Sequence, residues 1–258
     1  MVTETRAMAG GPPVIDPLRF AVASHRTWPA AEILGETDPA GWILRFSEEA
    51  AGSRANSACV SRPVPDIAAA IAAAEAAYRA RGRVPRFQLW PGQEAVDEAL
   101  TARGYTAYDR SLLMVRAVAE PWEPDPPGCV AVEVRTPLAA LEAVWEAGGV
   151  GPARQAVIAR ARVPVARFLG RVDMAPAGAV AAMVDGEIAV TQALWVDPAC
   201  RGRGMARCLM GAVHGFAVQT GAAVMAHAVV ADNASAIRLY EGLGFHAFGA
   251  YHYAKAPA

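Results

Sequence analysis

Apolar residues recur along this chain with two periods, and the switches between them mark out its elements. Around a polar turn at 47–53, the segment GWILRF before it and the run ending in SACV after it read as strands. DIAAAIAAAEAAYRARG has helical spacing instead. Asp66 is placed to cap it, Ile67, Ile71 and Tyr78 face inward, and Gly82 ends it. RFQLW then reads as a short strand, EAVDEALTARGY as a helix closed near Gly104, and DRSLLMVRA as another strand.

AEPWEPDPPGC breaks the pattern with four prolines and no period, which marks a linker. We therefore divide the chain into a loose Gly- and Pro-rich lead-in at 1–20, a first lobe at 21–117, the linker at 118–129 and a second lobe at 130–258. The second lobe opens with strand VAVEVR and helix LAALEAVWEAG, and a less regular stretch follows. Strands VARFLGRV, AVAAMVDG and EIAVTQALWV come next, with a tight hairpin turn at 184–186. A glycine turn leads into a helix at 205–220, a strand at 222–230, a helix at 234–242 and a last strand, HAFGAYHYAKA. This order predicts a mixed α/β sheet rather than a simple alternating doubly wound one.

Composition narrows the function classes. With 24 basic and 25 acidic residues the net charge is −1, so no nucleic-acid partner is expected and any basic site must be local. Cys59, Cys129, Cys200 and Cys208 form neither a CxxC motif nor a Cys/His cluster, which argues against a metal site and for reduced thiols in a cytoplasmic protein. The start of the sequence lacks an apolar core of signal-peptide length. Residues 208–231 carry no Asp, Glu, Lys or Arg, but Gln219, Thr220, Gly221 and His227 interrupt them. A helix ending at Gly221 and a following strand account for the run, so no membrane span is expected.

The chemistry concentrates in VDPACRGRGMARCLM. A helix N-terminus offers N–H donors without intrahelical partners, and its dipole favours anions. Gly202 and Gly204 remove the Cβ atoms that would hold a phosphate away, while Arg201 and Arg203 add charge. There is no G-K-[ST] of a P-loop and no third glycine or trailing acid of the dinucleotide fingerprint. On its own the turn could equally be a packed strand-to-helix junction.

A second segment, ADNASAIRLYEGLGF, follows one strand later. Together the two resemble the GNAT superfamily of acyl-CoA N-acyltransferases, whose pattern V-x-P-x-x-[QR]-x-x-G-x-[GA] is followed about thirty residues on by N-x-x-A-x-x-L-Y-x-x-x-G-F. The matching positions are Val196, Pro198, Arg201, Gly204, Ala206, Asn233, Ala236, Leu239, Tyr240, Gly244 and Phe245. The resemblance covers roughly residues 130–255. It implies a mostly antiparallel twisted α/β sheet flanked by helices, preceded here by a smaller degenerate lobe of the same kind. It also implies acetyl-CoA as cosubstrate and no metal. The N–H groups of Arg201, Gly202, Arg203, Gly204, Met205 and Ala206 would hold the pyrophosphate. Leu194, Trp195 and Val196, on a strand end that splays from its neighbour, would pair with the pantetheine arm. Asn233 would touch the pantetheine or cap its helix. Tyr240 would protonate the leaving thiolate in a direct attack by a primary amine of a small molecule or peptide. A monomer or homodimer fits this reading. So do, as alternatives, a non-catalytic acyl-CoA sensor or partner-binding module, and a nucleotide-dependent enzyme of another class.

The first half resembles a worn copy of the second. A slide of 139 residues places Arg62 on Arg201 and Gly82 on Gly221, and one of 140 places Gly104 on Gly244 and Tyr105 on Phe245. Pro63 and Pro65 then fall on Gly202 and Gly204, and Leu100 on Tyr240, so the copy lacks both donors and acid. One acyl-CoA site per chain is the expectation. GWILRF…SRANS and the ending Tyr251-His252-Tyr253 also resemble two-lobed bacterial members of the family, which makes Arg54 and Asn56 candidate acceptor contacts. The general base is not evident. Gln192 cannot serve, Glu187 is distant, His252 and Asp173 are candidates, and His227 faces either core or cofactor. His214 reads as a helix-margin residue. Trp145 and Trp195 either pack or line an apolar groove.

Overall fold

The computed structural model describes residues 15–35, 42–60, 64–123, 125–136 and 138–257. Residues 1–14 of the expected lead-in, Pro124 of the linker, and Arg62 and Pro63 of the internal alignment lie outside them. The first half runs α1 (Pro17–Thr27), β1 (Glu32–Leu34), β2 (Trp42–Phe46), β3 (Ala58–Val60), α2 (Ile67–Arg79), β4 (Arg86–Leu89), α3 (Glu94–Ala102) and β5 (Thr106–Ala117). The second runs β6 (Cys129–Glu133), α4 (Ala139–Ala147), α5 (Pro152–Arg160), β7 (Val165–Val172), β8 (Ala175–Asp185) and β9 (Ile188–Val196). It continues with α6 (Met205–Gln219), β10 (Val224–Val230), α7 (Ala234–Gly242) and β11 (His246–Lys255).

Two helices depart from the sequence reading. Helix α1 begins inside the stretch expected as a loose lead-in. Asp16 accepts from the Leu18 N–H, proline occupies the first turn, and Phe20, Ala21, Ala23, Ser24 and Thr27 are buried. Helix α5 occupies the stretch expected to be irregular and buries Val157 and Ile158. By contrast, α7 spans Ala234–Gly242, as its periodicity predicts.

All strands form one mixed, mostly antiparallel sheet in the order β1-β2-β3-β4-β11-β5-β10-β9-β8-β7-β6. Among the described residues only β3–β4 and β9–β10 are parallel. The last strand of each half is inserted beside the other half. β5 lies between β10 and β11, and β11 lies between β4 and β5. The two halves therefore share one continuous ladder of backbone hydrogen bonds.

Both faces of the sheet are covered, so its central strands read as continuous apolar runs. Along β8, Val180, Ala182 and Val184 pack with Leu209, Met210 and Val213 of α6. The alternate residues Ala179, Ala181 and Met183 pack with Leu141 and Trp145 of α4. Phe20 of α1 covers β5, β9 and β10 through Leu113, Val190 and Ala226. The same helix grips the β8–β9 hairpin, where Asp185 receives Arg19 at 2.9 Å and Arg26 at 3.1 Å.

Candidate active site

Strands β9 and β10 pair only from Ile188–Val224 to Val190–Ala226 and then part. On its other side β9 carries a bulge. Ala179 opposes Trp195 and Ala181 opposes Gln192, so two residues of β9 stand opposite Val180. Ala193, inside the bulge, takes a left-handed φ of 53°. Trp145 holds it there by donating its indole N–H to the Ala193 carbonyl at 3.0 Å. A buried side chain thus stabilises a backbone conformation that costs a non-glycine residue about 1–2 kcal/mol.

The parting opens a cavity of about 520 Å³, lined by Thr191, Gln192 and Leu194 of β9, His227 of β10, and Asn233, Ala236 and Tyr240 of α7. The first half supplies Trp28, Arg54, Asp109 and Ser111, and β11 adds Tyr251 and Tyr253. Several lining groups are buried without a hydrogen-bond partner: Thr191 Oγ1, Arg54 Nε and both ring nitrogens of His227. Buried polar atoms are nearly always satisfied in native proteins, so these groups are available to bond whatever fills the cavity, solvent or ligand.

Tyr240 is 8% exposed and packs in the core with Leu243 and Phe245. Burial pushes its phenol above the ordinary tyrosine range, so it is neutral and proton-bearing at physiological pH. Its ring lies against His227, with centroids 3.7 Å apart. Burial also pulls His227 down to about 3, which leaves an uncharged imidazole. Asn233 caps α7, accepting the Ala236 N–H at 3.1 Å, and also lines the cavity.

Beyond the end of β9 the chain turns through Gly202, at φ 73°, and Gly204, at φ 84°, into α6. Gly204 has no side-chain cap, and the first bond of the helix runs from the Cys208 N–H to the Gly204 carbonyl. The N–H groups of Met205, Ala206 and Arg207 therefore have no carbonyl in a preceding turn. The two glycines do different work. A Cβ at Gly204 would meet the Pro126 ring at 2.5 Å, whereas a Cβ at Gly202 would find nothing within 4 Å. Gly204 admits the linker, and Gly202 keeps open space in front of the helix.

Other candidates have structural duties. Asp173 pairs with Arg203 at 2.7 Å, and His252 meets Asp97 at 3.3 Å. Neither lines the cavity. Asn56 is turned inward. Its Oδ1 accepts from the Ser47 N–H at 2.8 Å, and its Nδ2 donates to the Glu48 and Gly52 carbonyls at 2.9 and 3.1 Å, bracing the loop that carries Arg54. Trp195 lies on Gly148, where a Cβ would clash at 2.5 Å, and neither it nor Trp145 lines the cavity. Trp28 takes the aromatic place there. His214 bonds the Val118 carbonyl at 2.9 Å and stacks on Trp122. Among the described residues no group of His, Cys, Asp or Glu could hold a metal ion, and no helix is long and apolar enough to cross a membrane. Sequence reasoning missed Thr191, Asp109, Ser111 and Trp28. Their only signal is tertiary, since β5, β9 and the end of α1 bring them together.

Comparison with known proteins agrees with this geometry. Residues 139–245 match the acetyltransferase (GNAT) family model. A GCN5-related N-acetyltransferase from Kribbella flavida superimposes with a TM-score of 0.74 at 19% identity, covering 94% of this chain and 96% of that one. A conserved protein of unknown function from Staphylococcus epidermidis gives 0.65 at 11% identity, covering 86% and 92%. A tandem GNAT protein from the clavulanic acid biosynthesis pathway gives 0.59 at 17% identity, covering 78% and 76%. These likenesses establish the fold. No curated protein matches the sequence significantly. The cleft between β9 and β10, the glycine turn and the capped helix α7 all lie within the stretch that matches the acetyltransferase (GNAT) family model.

Proposed function

We propose that the protein is an N-acetyltransferase that moves an acetyl group from acetyl-CoA to a primary amine. The observation that carries this reading is the unbonded, proton-bearing Tyr240 beside three orphaned polar side chains in the cleft where β9 leaves β10. The open space at Gly202 and the unbonded N–H groups at the start of α6 suit a pyrophosphate, with Arg201 adding charge and Arg203 able to do so once it exchanges Asp173 for the phosphate. Leu194, Trp195 and Val196 lie beyond the last pair of β9 with β10 while β9 stays paired to β8, and that edge suits an extended pantetheine arm once Arg201 Nε releases the Val196 carbonyl it reaches at 3.2 Å; Asn233 lines the same cavity as Leu194.

Bound acetyl-CoA would supply an activated thioester carbonyl. The amine nitrogen attacks that carbon, the C–S bond breaks, and Tyr240 gives its proton to the departing sulfur. The proton released by the amine returns through solvent in the cleft to the phenolate, so the reaction needs no other reagent. We read the first half as a copy that kept the scaffold and lost the chemistry. Helix α3 and α7, like β5 and β11, occupy matching places in the two halves, but Pro65 stands where Gly204 would and Leu100 where Tyr240 would.

Calorimetric titration with acetyl-CoA tests the binding reading, with one site per chain expected. A thiol-release assay with Tyr240→Phe tests the chemistry, where a fall in kcat of about 100-fold with unchanged acetyl-CoA affinity is expected. Absence of binding would end the acyltransferase reading. Undiminished turnover in the variant would end the assignment of Tyr240.

A further inference from the structure

Arg54 is a cation in the cleft with no anion beside it. Its Nη1 donates to Gln192 Oε1 at 2.8 Å, its Nη2 reaches the Tyr251 hydroxyl at 3.4 Å, and its Nε is buried without a partner. All of these partners are neutral. The contrast with other arginines of this chain is sharp: Arg86 and Arg116, also largely buried, pair with Glu49 and Glu120. Arg45 is buried behind Arg54 with its Nη2 on the Trp28 carbonyl at 2.6 Å, near enough for the two charges to repel. Arg154 of α5 lines the same cavity, and its one side-chain hydrogen bond is to the Gly149 carbonyl at 3.4 Å. Among the described residues none of these three has a carboxylate partner. Among the described residues the only acid on the cavity wall is Asp109, which is exposed.

Removing a guanidinium from water without pairing it costs several kcal/mol, so such groups are normally paired with acids or left at the surface. A cleft that holds the half-buried Arg54 unpaired, its Nε shut off from water, is poised to gain that energy from an incoming anion, while the exposed Arg154 adds only a screened attraction. The phosphates of a coenzyme are unsuited to the role. Arg54 meets β9 at Gln192, before the bulge, while the glycine turn begins beyond the far end of that strand. Between them lies the stretch assigned above to the pantetheine arm, so the anion sits on the acceptor side.

We propose that the acceptor carries a carboxylate beside its primary amine, bound by the planar fork of Arg54 with Arg154 at the rim. Small amino acids and their close relatives would therefore be preferred over simple amines. The cavity of about 520 Å³, open to solvent on one side, has room for the acetyl end of the donor together with a small acceptor. A bidentate guanidinium–carboxylate pair supplies geometry as well as charge and would hold the amine in register with the thioester. This inference rests on the N-acetyltransferase reading.

The test uses the full chain, acetyl-CoA and matched acceptors that differ only in the carboxylate: phenylalanine and phenethylamine, tryptophan and tryptamine, lysine and cadaverine. β-Alanine and phosphoethanolamine separate carboxylate from phosphate. We expect at least one amino acid to exceed its decarboxylated partner by about 30-fold or more in kcat/KM, mainly through KM. In Arg54→Met that ratio should collapse toward one, and Arg54→Lys should recover part of it. Acetyl-CoA titration of each variant reports whether the cleft is intact. If Arg54→Met does not fold, the wild-type ratios alone decide. The inference is overturned if every pair favours the plain amine, if phosphoethanolamine outruns β-alanine, if Arg54→Met leaves the ratio unchanged, or if no acceptor of the panel reacts while acetyl-CoA binds. Failure to bind acetyl-CoA at all would instead overturn the acetyltransferase reading beneath it.

Discussion

Gly202 and Gly204 can be separated by experiment because their surroundings differ. Both have positive φ, at 73° and 84°, so alanine at either position carries a backbone penalty of about 1–2 kcal/mol. At Gly202 the penalty stops there, since the added methyl meets no protein atom within 4 Å. At Gly204 the methyl lies 2.5 and 2.7 Å from the Pro126 ring, and relieving that overlap adds about 1–3 kcal/mol. Gly204→Ala should thus be the less stable variant. For a chain of this size each kcal/mol lowers Tm by about 2–4 °C. Affinity should divide differently. The methyl at Gly202 enters the space in front of the unbonded N–H groups of α6, so acetyl-CoA should bind at least ~10-fold more weakly, a loss of about 1.4 kcal/mol. Gly82→Ala is the control, because Gly82 has φ 64° and equally open space but sits in the first half. Calorimetry on the three variants reads the affinities and thermal unfolding reads the stabilities. If Gly202→Ala and Gly82→Ala bind acetyl-CoA equally well, the turn does not hold the pyrophosphate.

Three further outcomes follow from the charges and their burial. His227 is pulled down to about 3, below the unfolded value of about 6.5. The unfolded chain therefore binds more protons between those pH values, and the stability associated with the neutral imidazole is present above pH 6.5 and lost as pH falls toward 3. His227→Leu should flatten the acid limb of a stability–pH profile by up to about 1.4 kcal/mol per pH unit, and an unchanged limb would show that the imidazole is hydrated. Asp185→Asn removes the acceptor of Arg19 and Arg26 that fastens α1 to the β8–β9 hairpin. Because both arginines are largely exposed, we expect a loss of only about 1–2 kcal/mol in urea unfolding, with protease sensitivity rising first near α1. Finally, burial holds Tyr240 above the ordinary phenol range, so kcat should stay level to about pH 9.5. An alkaline limb below pH 9 that vanishes in Tyr240→Phe would refute that.

The sequence by itself determined the local elements and the motif-bearing turn. Helical spacing set α2, α3, α6 and α7, alternation and apolar runs set β7 to β11, and the two glycines mark the junction, because these signals depend on neighbours within a few residues. Helix α1 was legible too, through Asp16 and Pro17, but the prolines and glycines around it masked the cue. The tertiary structure alone decided the rest. Alternation shows that β5 and β11 are strands but does not say which edges they join, and their exchange between the halves is settled by long-range pairing. The parting of β9 from β10 depends on a bulge that Trp145 braces from another helix. In sequence Asn56 and Arg54 are equivalent polar residues of one loop. In the folded chain Asn56 satisfies that loop's backbone, while Arg54 is left in the cleft without a counter-charge. Which of two polar neighbours is free to act is a matter of hydrogen-bond partners: those of Asn56 lie within its own loop, and those of Arg54 come from segments more than a hundred residues away.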